Sequence, residues 1–391
     1  MKEEVFIIGG GPAGAASAMN LLREGFQPVI IEAETFPRFH IGESLTTECV
    51  DALNRLGLEQ QLRELAPPRK TGVRIFSRNP ENSFFVGAGD AWQVERSRFD
   101  AMMLDQAMER GAKLIHGKAT SLKREGEQWR ISVQTGSEEL ALHARFVIDA
   151  SGQNRFSQKK GLFGDVMEGD YARQISFFSQ FEGCTQKESD GHDTLIFHRE
   201  HHEWVWMIPL SETVTSIGLV VPVEDYKKSK LSMEAFLEQG IASFSEPLKE
   251  RVHAAKRVGE SRAISNYSFS IDHYCRDGLF CVGDCHRFID PIFSFGVQFA
   301  VIEAEYVAKA IAACAASNSS DWQPVHDHYM KVTSDAQDVI QDLLTYFWAH
   351  PWGFATMAHL RHPEEFLEIF AGRIYEAEAG EGLTRIREAI A

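Results

Sequence analysis

Apolar and polar positions along this chain follow three rhythms. Val5–Ile8 is a short unbroken apolar run, the pattern of a strand buried on both faces. Beyond a glycine turn, a helical pattern runs to Arg23. Gly25 ends it, and a second apolar run, Val29–Ile31, closes on Glu32. Thr46–Leu58 predicts a helix with Cys49, Val50, Leu53 and Leu56 on one face. Thr71–Phe76 and Ser83–Val86 predict a hairpin that turns at Asn79-Pro80-Glu81-Asn82. Asp100–Arg110 predicts a helix closed by Gly111, and four short strands follow: Lys113–His116, Ala119–Glu125, Trp129–Thr135 and Leu140–Ala144. Phe146–Asp149 is again a continuous apolar run, followed by the small-residue loop Ala150-Ser151-Gly152.

The second half changes character. Phe177–Phe181, Asp193–His198, Glu203–Pro209 and Ser216–Val221 are rich in β-branched and aromatic residues and predict an antiparallel sheet. Leu231–Gln239 and Ile241–Lys249 predict helices, and Arg262–Asp272 one long strand. Gly278–Asp284 predicts a strand ending on an acid, and Val297–Ala315 a helix. Trp322–Ala391 is mostly helical, with interruptions at Pro351 and Pro363.

These elements predict an α/β protein of discontinuous layout. A Rossmann-like nucleotide-binding domain is assembled from residues 1–70, 94–160 and 273–320, its sheet completed by the meander after Lys113 and by the return strand at Phe146. An antiparallel-sheet substrate domain, residues 71–93 and 161–272, is inserted in it, and residues 321–391 form a helical C-terminal part.

Gly9-x-Gly11-x-x-Gly14 sits between the first strand and the first helix. A pyrophosphate fits such a turn: Gly9 permits the bend, Gly11 allows close backbone approach, and Gly14 lets helix and strand pack. Pro12 and Ala13 open the helix, and Glu32 with Ala33 ends the second strand, where an acid accepts from ribose hydroxyls.

Composition narrows the partners. The 391 residues carry a formal net charge of −16, which argues against nucleic acid and anionic membrane, both polyanions. No apolar run is long enough to span a bilayer, and none reads as a signal peptide. The six cysteines are scattered without zinc spacing, the usage of a reduced, cytoplasmic protein. His198, His201 and His202 beside Glu200 and Glu203 do not form H-E-x-x-H, so no metal is expected.

Three motifs at strand ends carry a resemblance: Gly9–Gly14, Asp149-Ala-Ser-Gly152 and Gly283-Asp284. With them the chain resembles the FAD-dependent monooxygenase superfamily of the p-hydroxybenzoate hydroxylase type over nearly its whole length. Trp204-Val-Trp206-Met-Ile-Pro209 matches W-x-W-x-I-P, and Phe288 to Gly296 matches F-x-x-P-x-x-S-x-G. These resemble the flavin-dependent halogenases. The resemblance implies FAD, used as FADH2 with O2 and chloride or bromide. It implies FAD contacts from Arg38, Ser44, Arg96, Asp149, Gly152, Asp284, Pro291 and Gly296. A halide would lie at the backbone of Phe295 and Gly296, and a substrate pocket at Trp204, Trp206 and Ser294.

Lys70, in Lys70-Thr-Gly72 with Phe76, matches the halogenase lysine. The family chemistry runs through a flavin hydroperoxide to hypohalous acid, which a lysine facing the substrate cavity delivers to an electron-rich ring. The implied substrate is a phenol or pyrrole, free or tethered to a carrier protein. With no second Rossmann unit for a nicotinamide, a separate flavin reductase is the implied source of FADH2. Phe295 stands where halogenases usually have a small residue, and a bulky ring there would either fill space or cover the anion site. Two alternatives share the same features. One is an FAD-dependent aromatic monooxygenase that transfers hydroxyl, one form of which acts on a tryptophan of a client protein in tryptophylquinone maturation. The other is an FAD-binding maturation partner without turnover.

Overall fold

The computed structural model describes all residues except 1–2, 78–82, 170, 172, 200–201, 266 and 318–320. The expected turn Asn79–Asn82 therefore lies outside the described residues. A six-stranded sheet organises the first half, in the order Cys275–Arg276, Leu279–Cys281, Phe146–Asp149, Glu4–Ile8, Gln27–Glu32, Lys113–His116. It is parallel except at the Cys275–Arg276 edge. Both faces are covered, which explains the unbroken apolar runs. Val5 and Ile7 join the core under the helices Pro12–Arg23 and Gly296–Ala316, whereas Phe6 and Ile8 face Leu122, Trp129, Ile131 and Val133.

That second core corrects one expectation. The strands Lys118–Glu125, Gln128–Thr135 and Glu138–Ala144 do not extend the nucleotide-binding sheet. They form their own three-stranded sheet laid across its open face. The alternation of buried Trp129, Ile131 and Val133 is that of a strand with one covered face.

The other large sheet has eight strands and is mixed: Thr194–His198 runs parallel to Arg69–Phe76, with antiparallel pairing elsewhere. The strand Trp204–Pro209 is buried on both sides. Trp204, Trp206 and Ile208 join one core, Val205 and Met207 another beneath the helices Met233–Ser243 and Glu246–Val252. The long strand expected over Arg262–Asp272 is broken. Arg262–Ser265 pairs with Gln174–Glu182, and Phe269–Ser270 pairs with Met167–Glu168 and Arg287–Phe288, so the chain changes sheets between them. Helix Asp100–Arg110 starts a turn earlier, at Arg96, and Ser83–Val86 extends to Trp92.

In the tail, Gln323–Ala349, Pro351–Thr356, Pro363–Ala371 and Glu381–Ile390 are helical. Pro351 and Pro363 each open a helix, where a missing N–H costs nothing. Leu343, Phe347, Phe366 and Phe370 share a core with Trp204, Trp206 and Phe293, so the tail closes over the tryptophan face of the sheet. No described helix is long and apolar enough to cross a membrane.

Candidate active site

A cavity of about 980 Å³ runs between the two large sheets. One end is the glycine turn. A Cβ on Gly14 would meet the Gly9 carbonyl oxygen at 1.9 Å, so helix and turn pack without a side chain between them. Gly11 is the N-cap of Pro12–Arg23 and has no side-chain capping bond, so the first-turn N–H groups of a twelve-residue helix open beside the cavity. Gly9, Gly11, Pro12, Ala13, Glu32 and Ala33 line it; Gly14 stands one layer behind. The Glu32 carboxylate accepts from the Gly10 N–H at 2.6 Å and the Glu34 N–H at 2.7 Å, which leaves its remaining lone pairs for a hydroxyl.

Arg38 and Arg96 both line the cavity and share one counter-ion, Asp100, which the sequence showed only as the start of a helix. Arg96 binds it bidentately at 2.6 and 3.0 Å, and Arg38 adds a contact of 3.1 Å. Arg96 also donates to the carbonyls of Ile41 and Gly42, fixing the loop that carries Glu43 and Ser44. Asp284 lines the cavity, and burial raises its carboxyl to about 7 against the opposing pull of Arg96. Gly152 lines it as well. Asp149 does not: its carboxylate accepts the N–H groups of Ser151 and Ser157 at 3.0 and 2.7 Å and holds the loop from behind. The expected flavin contact at Asp149 is thus a loop brace.

At the other end, Trp204 and Trp206 form a wall, their rings 5.6 Å apart. Trp206 donates to Ser216 Oγ at 3.2 Å, and its indole lies over Gly218, where a Cβ would come within 2.0 Å of it. The loop Pro291–Gly296 forms the floor. Pro291–Phe293 is a 3₁₀ turn, Ser294 takes the left-handed conformation (φ 65°), and the 21-residue helix Gly296–Ala316 begins there with no acid in its first turn. Phe295 also lines the cavity at that helix end. It is turned into the core, 3 % exposed, 6.0 Å from Phe299.

Lys70 differs from expectation. It is 1 % exposed and does not line the cavity. A β-bulge between Lys70 and Gly72 turns it inward, and Asp193 pins the bulge by accepting the N–H groups of Thr71 and Gly72 at 2.6 and 2.9 Å. The ammonium donates to Ser44 Oγ at 2.8 Å and to the Leu45 carbonyl at 3.3 Å. Ser44 Oγ in turn lies 3.1 Å from Thr194 Oγ1, which accepts from Gln93 at 3.0 Å. Ser44 and Thr194 are the surface the cavity meets. Burial lowers the Lys70 ammonium to about 8, offset in part by Asp193.

Among the described residues, two buried polar atoms of this wall make no hydrogen bond, Trp204 Nε1 and Asp290 Oδ2, while Glu43 and Tyr267 have the Ser216 and Ser176 hydroxyls beside them. Such orphans belong in sites completed by a polar guest. Together with the glycine turn and the arginine pair, they fit an extended dinucleotide carrying a ring system. Of the histidine cluster, His201 and Glu200 lie outside the described residues. Asp149, Cys281 and Cys285 bring ligand-type atoms within 4.8 Å of one another, yet both Asp149 oxygens already accept N–H bonds.

Comparison with known proteins agrees with this geometry. Residues 2–342 match the family described as FAD binding domain. The chain is 32% identical over 394 residues to a 1H-pyrrole-2-carbonyl-[peptidyl-carrier protein] brominase of Pseudoalteromonas luteoviolacea, covering 99% of this chain and 96% of that one. It is 27% identical to the corresponding chlorinase of Pseudomonas fluorescens, over 99% and 93%. Among solved structures, a flavin-dependent brominase superposes with a TM-score of 0.94 at 33% identity, covering 100% and 98%. The fold, the site and these relatives lead to one assignment: the chain belongs to the flavin-dependent halogenases, FAD-dependent oxidoreductases.

Proposed function

We propose that this enzyme halogenates a pyrrole-2-carbonyl group carried on a peptidyl carrier protein. The observation that carries the reading is the polar spot in an aromatic wall: Ser44 and Thr194, backed by the Lys70 ammonium, line the cavity that Trp204 and Trp206 wall. The brominase and chlorinase similar over the whole chain are named for that substrate, which favours it over a free phenol and favours halogenation over the hydroxylase and maturation-partner alternatives.

In this reading Gly9, Gly11, Pro12 and Ala13 hold the pyrophosphate, and Gly14 lets the helix pack close behind them. Glu32 and Ala33 hold the adenosine ribose, Arg38 and Arg96 flank the cofactor, and Asp284 takes the ribityl chain. Ser44, Gly152, Pro291 and Gly296 complete the contacts. Reduced FAD bound there supplies the activation of O2 that oxidises halide to hypohalous acid. The N–H groups at Phe295 and Gly296 hold the halide, since a helix N-terminus without acids favours an anion. Trp204, Trp206 and Ser294 shape the space for the pyrrole and exclude water. Lys70 holds a proton at Nζ and, through Ser44 Oγ, hydrogen-bonds the hypohalous oxygen so that the halogen points at the ring. A separate flavin reductase delivers the reduced cofactor, in the cytoplasm.

The test supplies chemically reduced FAD, O2 and bromide or chloride to the purified protein with pyrrole-2-carbonyl carrier protein, and reads the carrier by mass spectrometry. A halogenated pyrrole is expected. No product with either halide, beside competent oxidation of the reduced flavin, would overturn the proposal.

A further inference from the structure

A second cleft, of about 740 Å³, opens on the nucleotide-binding half and shares no lining residue with the active-site cavity. It lies where three elements meet: the edge strand Cys275–Arg276, the turn after Lys118–Glu125, and the first turn of the 27-residue helix Gln323–Ala349. Among the described residues, three buried polar atoms of its lining side chains make no hydrogen bond: Arg124 Nη1, Trp322 Nε1 and His326 Nε2. His326 is 3 % exposed. Buried polar groups are nearly always paired, so three orphans around one cleft mark a place that a polar guest completes.

The charges of the cleft decide the class of that guest. Arg124, Arg145 and Arg276 share its lining with Glu127, Asp277 and Asp321. Most of these already have partners. Arg276 pairs with Asp277 at 3.4 Å and donates to the Leu162 carbonyl at 3.1 Å. Arg145 pairs with Glu3 at 3.4 Å, and Asp321 accepts from the Gln323 N–H at 3.0 Å. Arg124 makes no ion pair among the described residues. Its guanidinium lies 5.5 Å from the Trp129 ring, and Asp277 and Glu127 favour its charge from a distance. A guest with a single negative charge satisfies Arg124. A phosphate dianion would bring two charges to a wall that already holds three carboxylates.

The apolar part of the cleft is aromatic. Trp322 stands against Phe146 with ring centroids 5.2 Å apart, the Arg145 guanidinium lies 5.5 Å from its ring, and Phe163 lines the cleft as well. The volume leaves room for a ring beyond the anionic group. We propose that this cleft binds a small aromatic carboxylate. The carboxylate oxygens accept from Arg124 Nη1 and Trp322 Nε1, His326 Nε2 serves as a further polar partner, and the ring packs against Trp322 and Phe163. The site is independent of the pyrrole-carrier reading, since none of its residues belongs to the active-site cavity.

The test titrates benzoate into the full-length, FAD-loaded protein by calorimetry, with acetate and inorganic phosphate in parallel. Benzoate is expected to saturate one site below about 10 mM, and acetate and phosphate to bind more weakly. Arg124→Gln should bind FAD and melt like the parent. Its benzoate affinity should fall about tenfold, the usual effect of losing a hydrogen bond between charged partners. Should that variant fail to fold, Trp322→Phe carries the test: it keeps a ring, removes the N–H donor, and should weaken benzoate by more than about threefold. No saturable benzoate binding overturns the proposal. So does a benzoate affinity within about threefold of the parent's in the variant that carries the test, which would place the ligand elsewhere, the active-site cavity included. Acetate or phosphate bound as tightly as benzoate overturns the aromatic carboxylate as the ligand.

Discussion

Lys70 Nζ donates to Ser44 Oγ at 2.8 Å, so the buried ammonium meets the cavity through a hydroxyl. This makes Ser44 as testable as Lys70. In Ser44→Ala the ammonium loses its nearest partner and its path to the wall. Halogenated product is expected to fall by about 10²-fold while hypohalous acid still forms and escapes to a trap. Unchanged product formation would show that Lys70 acts by another route.

Lys70 also sets a trade between stability and activity. Its folded value, about 8, lies below its ordinary 10.5. The folded state therefore binds this proton less well than the unfolded state. The penalty is complete below pH 8 and disappears as pH rises from 8 to 10.5. Lys70→Met is expected to abolish halogenation yet stabilise the fold at pH 7 by on the order of 2 kcal/mol. Urea titrations at pH 7 and above pH 10 check this, since the gain should vanish in the second.

The same value fixes the alkaline limb of the rate. Product formation at saturating reduced FAD should fall as pH rises through about 8, where Lys70 loses its proton.

Gly14→Ala tests the other end of the cavity. The new Cβ would stand 1.9 Å from the Gly9 carbonyl oxygen, and a backbone atom cannot step aside cheaply. FAD affinity, read by quenching of flavin fluorescence, should drop at least tenfold with the far wall intact. Affinity equal to the parent's would mean that the turn does not hold the pyrophosphate.

Phe295→Ala removes a ring that is 3 % exposed and packed near Phe299. A loss of about 3 kcal/mol is expected in denaturant unfolding. A shift within experimental error would place the ring outside the core.

Much of this was legible in the chain. The glycine turn, the tryptophan strand and the Phe288–Gly296 loop are local patterns, and the structure puts each beside one cavity. What escaped was non-local. Asp100, Asp193 and Thr194 act through partners at separations of 62, 122 and 150 residues, and no periodicity marks such pairs. Asp149 misled for the complementary reason. It lies within a motif at a strand end, but its oxygens are claimed by N–H groups two and eight residues onward. The inward turn of Lys70 depends on a bulge, which a strand pattern read at period two cannot show.

The shared carboxylate of Asp100 bears on how the cofactor comes and goes. Arg38 and Arg96 have their counter-charge supplied by the protein itself, wholly buried at Asp100. A flavin leaving this cleft would strand no uncompensated guanidinium in low dielectric, and an arriving one would not have to neutralise both. The electrostatic well for the dinucleotide is correspondingly shallow. In the proposed scheme, where a separate reductase delivers the flavin, a shallow well suits its exchange between turnovers.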